Sequence, residues 1–232
     1  MFCPYTANHG LAGLKFHFAT QQAADWYDPI KPHVALEYQW LLENVHLNHA
    51  RVIDAGAHHG HYSLVFARAG AYVRAVDPHP DNLKALTLNM ELNGFWDYSF
   101  LRAAAWKADE EVWFSGQSNG MVGGFTGVQV PGRTLMCIDP LADVVKMDIE
   151  GAEYVVAPAC INEMKAHTWI VEVHLSDWRH HNFPNSPDLI ARLFKRRGFQ
   201  LDWVNRERMV VEPYNIGTAW ATHSTLIARR PR

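Results

Sequence analysis

The stretch Val52-Ile53-Asp54-Ala55-Gly56-Ala57-His58-His59-Gly60 constrains this chain more than any other. An apolar run stops at an acid, two glycines follow four positions apart, and a helical pattern begins at once. Glycines at such a turn let the backbone reverse sharply and approach a ligand with no Cβ in the way. The spacing is Gly-x-x-x-Gly, not the Gly-x-Gly-x-x-Gly that places a dinucleotide pyrophosphate on a helix N-terminus. No lysine follows Gly60, which excludes a nucleotide-triphosphate loop. An acid opening the turn repels a pyrophosphate but suits a ligand carrying an amino-acid ammonium group, which favours S-adenosylmethionine over NAD.

A second acid completes the pattern. Tyr72–Val76 reads as a strand that stops at Asp77-Pro78. Asp77 thus stands where an acid accepts hydrogen bonds from the hydroxyls of a nucleoside ribose. Taken singly, Asp54-x-Gly56 is also an ordinary strand-to-helix turn, and Asp77 a capping residue. At consecutive strand ends they point together to a nucleoside ligand, with Asp54, Gly56, His58, Gly60, Asp77 and Pro78 as its candidate contacts.

The same alternation runs along the chain. Arg51–Ala55, Tyr98–Ala103, Val112–Phe114, Asp143–Met147, Trp169–Val173, Phe199–Val204 and Ser224–Ala228 also read as strands. Helices are expected after Pro32 (Val34, Leu36, Trp40, Leu41, Val45) and over His61–Ala69, Asp81–Leu92, Ala152–Met164 and Pro187–Arg197. Such alternation predicts a doubly wound, parallel-rich α/β sheet with ligands outside the carboxyl ends of its strands. The Gly-rich stretch Ser115–Arg133, with interleaved valines, suits a hairpin or a mobile loop. Residues 1–34, rich in aromatics (Phe16, Phe18, Trp26, Tyr27) and broken by Pro29 and Pro32, read as an irregular extension or lid. Residues 35–232 then form the catalytic domain.

Composition narrows the function classes. With 48% hydrophobic and 19% charged residues, the chain of 232 has enough apolar material for one α/β domain. A net charge of −3 argues against a nucleic-acid binder. The basic groups Lys195-Arg196-Arg197 and Arg229-Arg230 read as a helix end and a charged tail. No apolar run approaches the ~20 residues of a membrane span, and the first residues do not read as a signal peptide. Cys3, Cys137 and Cys160 are scattered, which suits free thiols and a cytoplasmic protein.

The chain resembles the FkbM family of methyltransferases in Val52–Leu64, Val76–Leu83, Leu88–Gly94, Val145–Glu153 and Ile170–His174. The block Lys146-Met147-Asp148-Ile149-Glu150-Gly151-Ala152-Glu153 is the most discriminating of these. The resemblance implies a Rossmann-like class I methyltransferase fold, with a mostly parallel seven-stranded sheet and helices on both faces. It implies S-adenosylmethionine as methyl donor and O-methylation of a hydroxyl on a small molecule, sugar or lipid. It also places adenine at Leu101-Arg102-Ala103-Ala104, which adds Arg102 and Ala103 to the cofactor candidates; Trp106 covers that slot or belongs to the core. Two positions depart from the family: His58 stands where Asn is common, and Asp77 where Glu is common.

Methyl transfer to oxygen requires an aligned acceptor and a group that removes its proton. Asp148 and Glu150 flank one strand end, and Glu172 and His174 the end of its expected neighbour. Alternation turns both members of each pair to a similar side. His174 is the candidate general base, with Asp148 orienting it or holding the acceptor and also touching the cofactor. No metal is assigned, although Asp148, Glu150, Glu172 and His174 are acceptable Mg²⁺ or Mn²⁺ ligands. Glu150 and Glu153 also suit helix capping. The cluster His58-His59-x-His61 reads as loop histidines near cofactor or acceptor rather than zinc ligands, and His180-His181 beside Arg179 as a polar loop. Ser115–Gly127, Trp26 and Tyr27 are candidates for acceptor recognition. The rival readings are an RNA or protein methyltransferase, a non-catalytic S-adenosylmethionine-binding module, and a nicotinamide oxidoreductase.

Overall fold

The computed structural model describes residues 2–8, 13–123, 126–174, 187–218 and 223–231. It opens with an antiparallel pair, β1 (Tyr5–Asn8) and β2 (Lys15–Phe18), then helices α1 (Gln21–Tyr27) and α2 (Pro32–Asn44). The alternating region follows as β3 (Arg51–Ala55), α3 (His61–Arg68), β4 (Tyr72–Val76), α4 (Pro80–Leu92) and β5 (Tyr98–Leu101). Three short strands come next: β6 (Ala104–Ala105), β7 (Glu110–Phe114) and β8 (Val128–Arg133). The remainder is α5 (Leu135–Ile138), β9 (Val144–Met147), α6 (Glu153–Cys160), β10 (Thr168–His174), α7 (Pro187–Arg196), β11 (Gln200–Asn205), β12 (Val210–Pro213) and β13 (His223–Arg229).

The main sheet runs β12-β11-β13-β10-β9-β3-β4-β5. Strands β10, β9, β3, β4 and β5 are parallel, and β13 inserts antiparallel between β10 and β11. Among the described residues the sheet therefore has eight strands where seven were expected. The extra one, β12, folds back on β11 at the edge, and its Pro213 is tolerated because an edge strand leaves one side unpaired. Chain order reverses at β3, whose neighbours are β4 and β9, so the crevice lies at those carboxyl ends. The stretch 115–133 is bounded by a hairpin, β7 against β8, which with β6 makes a separate small sheet.

Strand alternation feeds two apolar layers. Ile53, Ala55, Val145, Met147, Trp169 and Val171 pack on one face with Tyr154 of α6 and Phe194 of α7. Val52, Val73, Ala75, Val144 and Ile170 pack on the other with Leu64, Phe66 and Leu86. With both faces covered, the parallel strands read as nearly continuous apolar runs.

The described residues among the first 34 are more regular than their sequence indicates. Leu14, Phe16, Phe18, Ala23 and Ala24 are buried in the second layer. Asn89 of α4 accepts from His17 N at 2.6 Å, and Asn93 binds Lys15 at both N (2.8 Å) and O (2.7 Å). Two asparagine amides thus pair with β2 as a neighbouring strand would. Pro32 at the first turn starts α2, two residues before the expected domain boundary. Among the described residues no helix is long and apolar enough to cross a membrane.

Candidate active site

The glycine turn is folded tightly between two strand ends. Gly56 and Ala57 donate to Val76 O at 2.9 and 3.1 Å. Gly56 has φ +75°, and a Cβ there would lie 1.7 Å from the carbonyl oxygen of Asp148. Glycine is required at this position on both counts. Gly60 has φ +86°, and a Cβ would meet Leu86 at 2.9 Å.

Behind the turn lies a buried ion-pair group. Asp54 is fully buried; its Oδ2 accepts from Ser63 Oγ at 2.6 Å and its Oδ1 is 3.6 Å from Lys146 Nζ. Lys146 also donates to Gly56 O at 3.4 Å, pairs with Asp148 Oδ2 at 3.4 Å, and stands 4.8 Å over the Tyr62 ring. Burial raises the Asp54 carboxyl above its usual range, and the Lys146 ammonium and Ser63 work against that rise. Asp54, expected to contact the cofactor, lines neither cavity described below and instead holds Lys146 beneath the turn.

The first cavity, about 590 Å³ including its mouth, is lined by Gly56, His58, Asp77 and Pro78 among the candidate residues. Asp77 accepts from His79 N (2.8 Å), Asn82 Nδ2 (3.0 Å) and His58 N (2.9 Å). Burial outweighs these three bonds and pushes its carboxyl up to about 7. His58 Nε2 meets Ser118 Oγ at 2.8 Å and its ring stacks on His59 at 4.1 Å. Burial first, then the charges of His59, Lys146 and His79, hold His58 well below the ordinary histidine range.

An apolar slot completes this cavity, formed by Val76, Ala104, Ala105, Phe114 and Val122. Arg102 is exposed and Ala103 is buried away from the cavity; the alanines facing it are the next two along. The chain turns after β5, with Ala103 N donating to Leu101 O, and this offset selects Ala104 and Ala105. Trp106 belongs to the core, its Nε1 donating to Glu110 at 2.8 Å. The flat slot and the carboxyl beside it fit an adenosine.

The second cavity, about 1110 Å³ with its open mouth, adjoins the first and shares Trp26, Tyr27, Gly56, His58, Asn119, Asp148 and Glu150 with it. Its own walls carry Glu37, Tyr62, Glu172, His174 and Arg206. His174 Nδ1 meets Glu153 Oε1 at 3.1 Å, and Nε2 faces Asp148 Oδ1 at 3.5 Å and Glu150 Oε2 at 3.7 Å. Burial works against the charged imidazole, but Glu153, Asp148 and Glu172 outweigh it and push it up to about 11. Burial likewise raises Glu172, yet Arg206 at 2.8 Å and His174 bring it below its ordinary value. Glu153 is fully buried, accepting from Ile149 N (2.7 Å) and Gly151 N (2.9 Å), so it is the structural acid of this loop.

Asp148, Glu150, Glu172 and His174 are therefore brought together as the sequence predicts. Tyr27 and Trp26 line both cavities, and His61 lines the second. Ser118–Gly120 of the Gly-rich stretch line the first cavity, and Asn119 lines the second as well. Arg179, His180 and His181 lie outside the described residues. Sequence reasoning missed Asn82, whose amide donates to Asp77 and to Ser118 O (2.7 Å), and Glu37, which accepts from Tyr62 and from Thr225 (2.9 Å). Lys146 was legible in principle: a lysine in the run Val144–Met147, all buried, demands an acid partner.

Solved structures share this architecture. A SAM-dependent methyltransferase from Agrobacterium tumefaciens aligns with TM-score 0.59 and 13% identity, over 99% of this chain and 70% of that one. Magnesium protoporphyrin IX methyltransferase from Synechocystis, with bound SAM, aligns with TM-score 0.51 and 15% identity over 86% and 79%. A 16S rRNA methyltransferase from T. Thermophilus aligns with TM-score 0.52 and 13% identity over 99% and 50%. At such identities the likeness is one of fold, and no curated protein matches the chain in sequence. The class of fold so defined is the Rossmann-like class I fold that these methyltransferases share. Residues 54–201 match the family described as the methyltransferase FkbM domain, well over half of the 232, and the chain belongs to that family. It is a methyltransferase.

Proposed function

We propose that the protein methylates a hydroxyl of a small molecule, sugar or lipid, with the polar second cavity favouring a sugar or another polyol. The observation that carries this reading is the continuity of the two cavities at Asp148 and Glu150. A donor in the first cavity and an acceptor in the second would meet there. Tyrosine hydroxyls, carboxylates and Arg206 offer hydrogen bonds to several hydroxyls, and Trp26 and Tyr27 a ring face.

In this reading Asp77 holds the ribose, His58 and the Gly56–Gly60 turn hold the donor, and Ala104 and Ala105 flank the adenine. Asp54 acts from behind, through Lys146. The acceptor hydroxyl lies between Asp148 and His174, and its proton passes to the Asp148 carboxylate, because its neighbours hold the His174 imidazole in the charged form rather than as the free base expected from the sequence; Glu150 and Glu172 balance that charge. Residues 1–34 form one wall of the site through Trp26 and Tyr27, ahead of the domain at 35–232. The free cysteines support a cytoplasmic location. The net charge of −3 supports an acceptor other than nucleic acid.

The test is transfer of labelled methyl from S-adenosylmethionine to panels of sugars, hydroxylated lipids, RNA and peptides, with the methylated atom read by mass spectrometry. Label on oxygen of a sugar or small polyol is expected. Label on RNA or peptide alone would overturn the acceptor class, and donor binding with no turnover on any panel would favour a binding module. His174→Ala is expected to keep donor binding and lose turnover.

A further inference from the structure

We propose that Asp148, Glu150 and His174 form a divalent-cation site of the Mn²⁺ type, placed to bind two oxygens of a chelating acceptor such as a vicinal diol. One ligand atom from each residue lies within 4.8 Å of the other two. Ligands at about 2.1 Å from a shared ion stand about 3 Å apart at right angles. The observed separations of 3.5 and 3.7 Å from His174 Nε2 therefore need only a slight closure. The side chains that would close are 28% and 30% exposed, while the imidazole is 5% exposed and fixed.

The histidine carries the second, independent mark of a metal ligand. Its Nδ1 is bonded from behind by Glu153, itself locked by two backbone amides. A carboxylate behind a ligating histidine fixes the tautomer and turns the other nitrogen toward the ion. Here that nitrogen is turned toward both carboxylates and the larger cavity.

Neighbouring ion pairs sort the acids into ligands and non-ligands. Glu172 is taken by Arg206 at 2.8 Å, and Asp148 Oδ2 by Lys146 at 3.4 Å, which leaves Asp148 Oδ1 on the histidine side. Around the cluster stand Asp54, Asp148, Glu150, Glu153 and Glu172, with Lys146 and Arg206 as the permanent cations among these ion pairs and Lys31 at the exposed rim. An ion on Nε2 takes the place of the proton that the imidazole carries without it, and five carboxylates against the three remaining cations leave two negative charges for a divalent ion to balance. Two carboxylates and one imidazole, without a thiolate, suit Mn²⁺ better than a structural zinc site. The open volume on the cavity side leaves its remaining positions to water or acceptor oxygens. A bound ion makes a coordinated hydroxyl more acidic. The acceptor half of the proposal rests on the function proposed above; ion binding itself does not.

The experiment is a Mn²⁺ titration of the full chain by electron paramagnetic resonance, with S-adenosylhomocysteine binding measured separately by calorimetry. One Mn²⁺ per chain is expected, displaced by excess Mg²⁺, with the signal altered by a vicinal diol and not by its mono-O-methyl ether. His174→Ala and Glu150→Gln are each expected to weaken Mn²⁺ at least about tenfold, and Glu153→Gln about tenfold. His174→Ala and Glu153→Gln should keep their S-adenosylhomocysteine affinity, which shows that they fold. A wild-type chain that binds S-adenosylhomocysteine but not Mn²⁺ overturns the proposal, as does Mn²⁺ binding that survives both ligand substitutions. An unaltered signal with every diol removes the acceptor half alone. Failure to bind S-adenosylhomocysteine would count against the donor site, while the ion titration still decides the cation site.

Discussion

At the scale of single residues, Gly56 and Asp77 make the sharpest predictions. Gly56→Ala meets a backbone carbonyl at 1.7 Å and a left-handed φ, a conformation that alone costs about 1–3 kcal/mol. We expect a lowered melting temperature and a loss of S-adenosylhomocysteine affinity beyond tenfold; an alanine variant with unchanged calorimetric affinity would contradict the close packing. For Asp77 the sign follows from which form binds. Ribose hydroxyls donate, so the carboxylate is the binding form, and burial keeps the proton on up to about pH 7. Donor affinity should therefore fall as pH drops from 8 to 6, and Asp77→Asn should bind weakly with a flat profile. Folding responds in the opposite direction. A carboxyl raised from 3.8 to about 7 stabilises the ligand-free fold below pH 4 and loses that contribution as pH rises to 7. The roles of Gly56 and Gly60 were legible because a positive φ leaves a mark in sequence. Those of Asn82 and Glu37 were not, because their partners, Ser118 and Thr225, are brought to them only by the fold.

At the scale of elements, the site is a set of strand ends tied together by buried polar groups. Lys146 on β9 joins the β3 acid, the glycine turn and Asp148. Removing one partner of a buried pair leaves the other charge uncompensated, at about 3–5 kcal/mol. Lys146→Met should lose stability of that order in urea unfolding, and a near-neutral result would mean that Asp54 is protonated in the fold. The loop after β7 is held more lightly. Ser118 contacts His58 at 2.8 Å and Asn82 at 2.7 Å, and Ser118→Ala should weaken donor binding about tenfold or less while barely moving the melting temperature. Strands β3 and β4 were legible to the residue because they are apolar runs closed by an acid or a glycine turn. Strands β1, β2 and β12 were not: each is short and paired at an edge, and β2 is fixed by asparagines remote in sequence.

For the whole molecule, the α/β class was legible from alternation alone, while the small sheet of β6, β8 and β7 and the eighth main strand depend on pairings that no periodicity encodes. The order of strands places the two cavities side by side at the carboxyl ends of the parallel strands. With a net charge of −3, acceptor affinity should change little with ionic strength, measured as a KM series across salt; a steep decline would instead mark a polyanionic acceptor. The contact between Gly56 and the Asp148 carbonyl has a practical meaning for anyone wishing to redirect this enzyme. It is a rigid spacer between the walls of the two cavities, with no slack for a side chain at residue 56. Laboratory evolution toward new acceptors should leave residues 56 and 148 untouched. It has room to vary the walls that belong to the second cavity alone, such as Lys31, His33 and Val34, where a changed side chain alters which molecule enters without touching the first cavity.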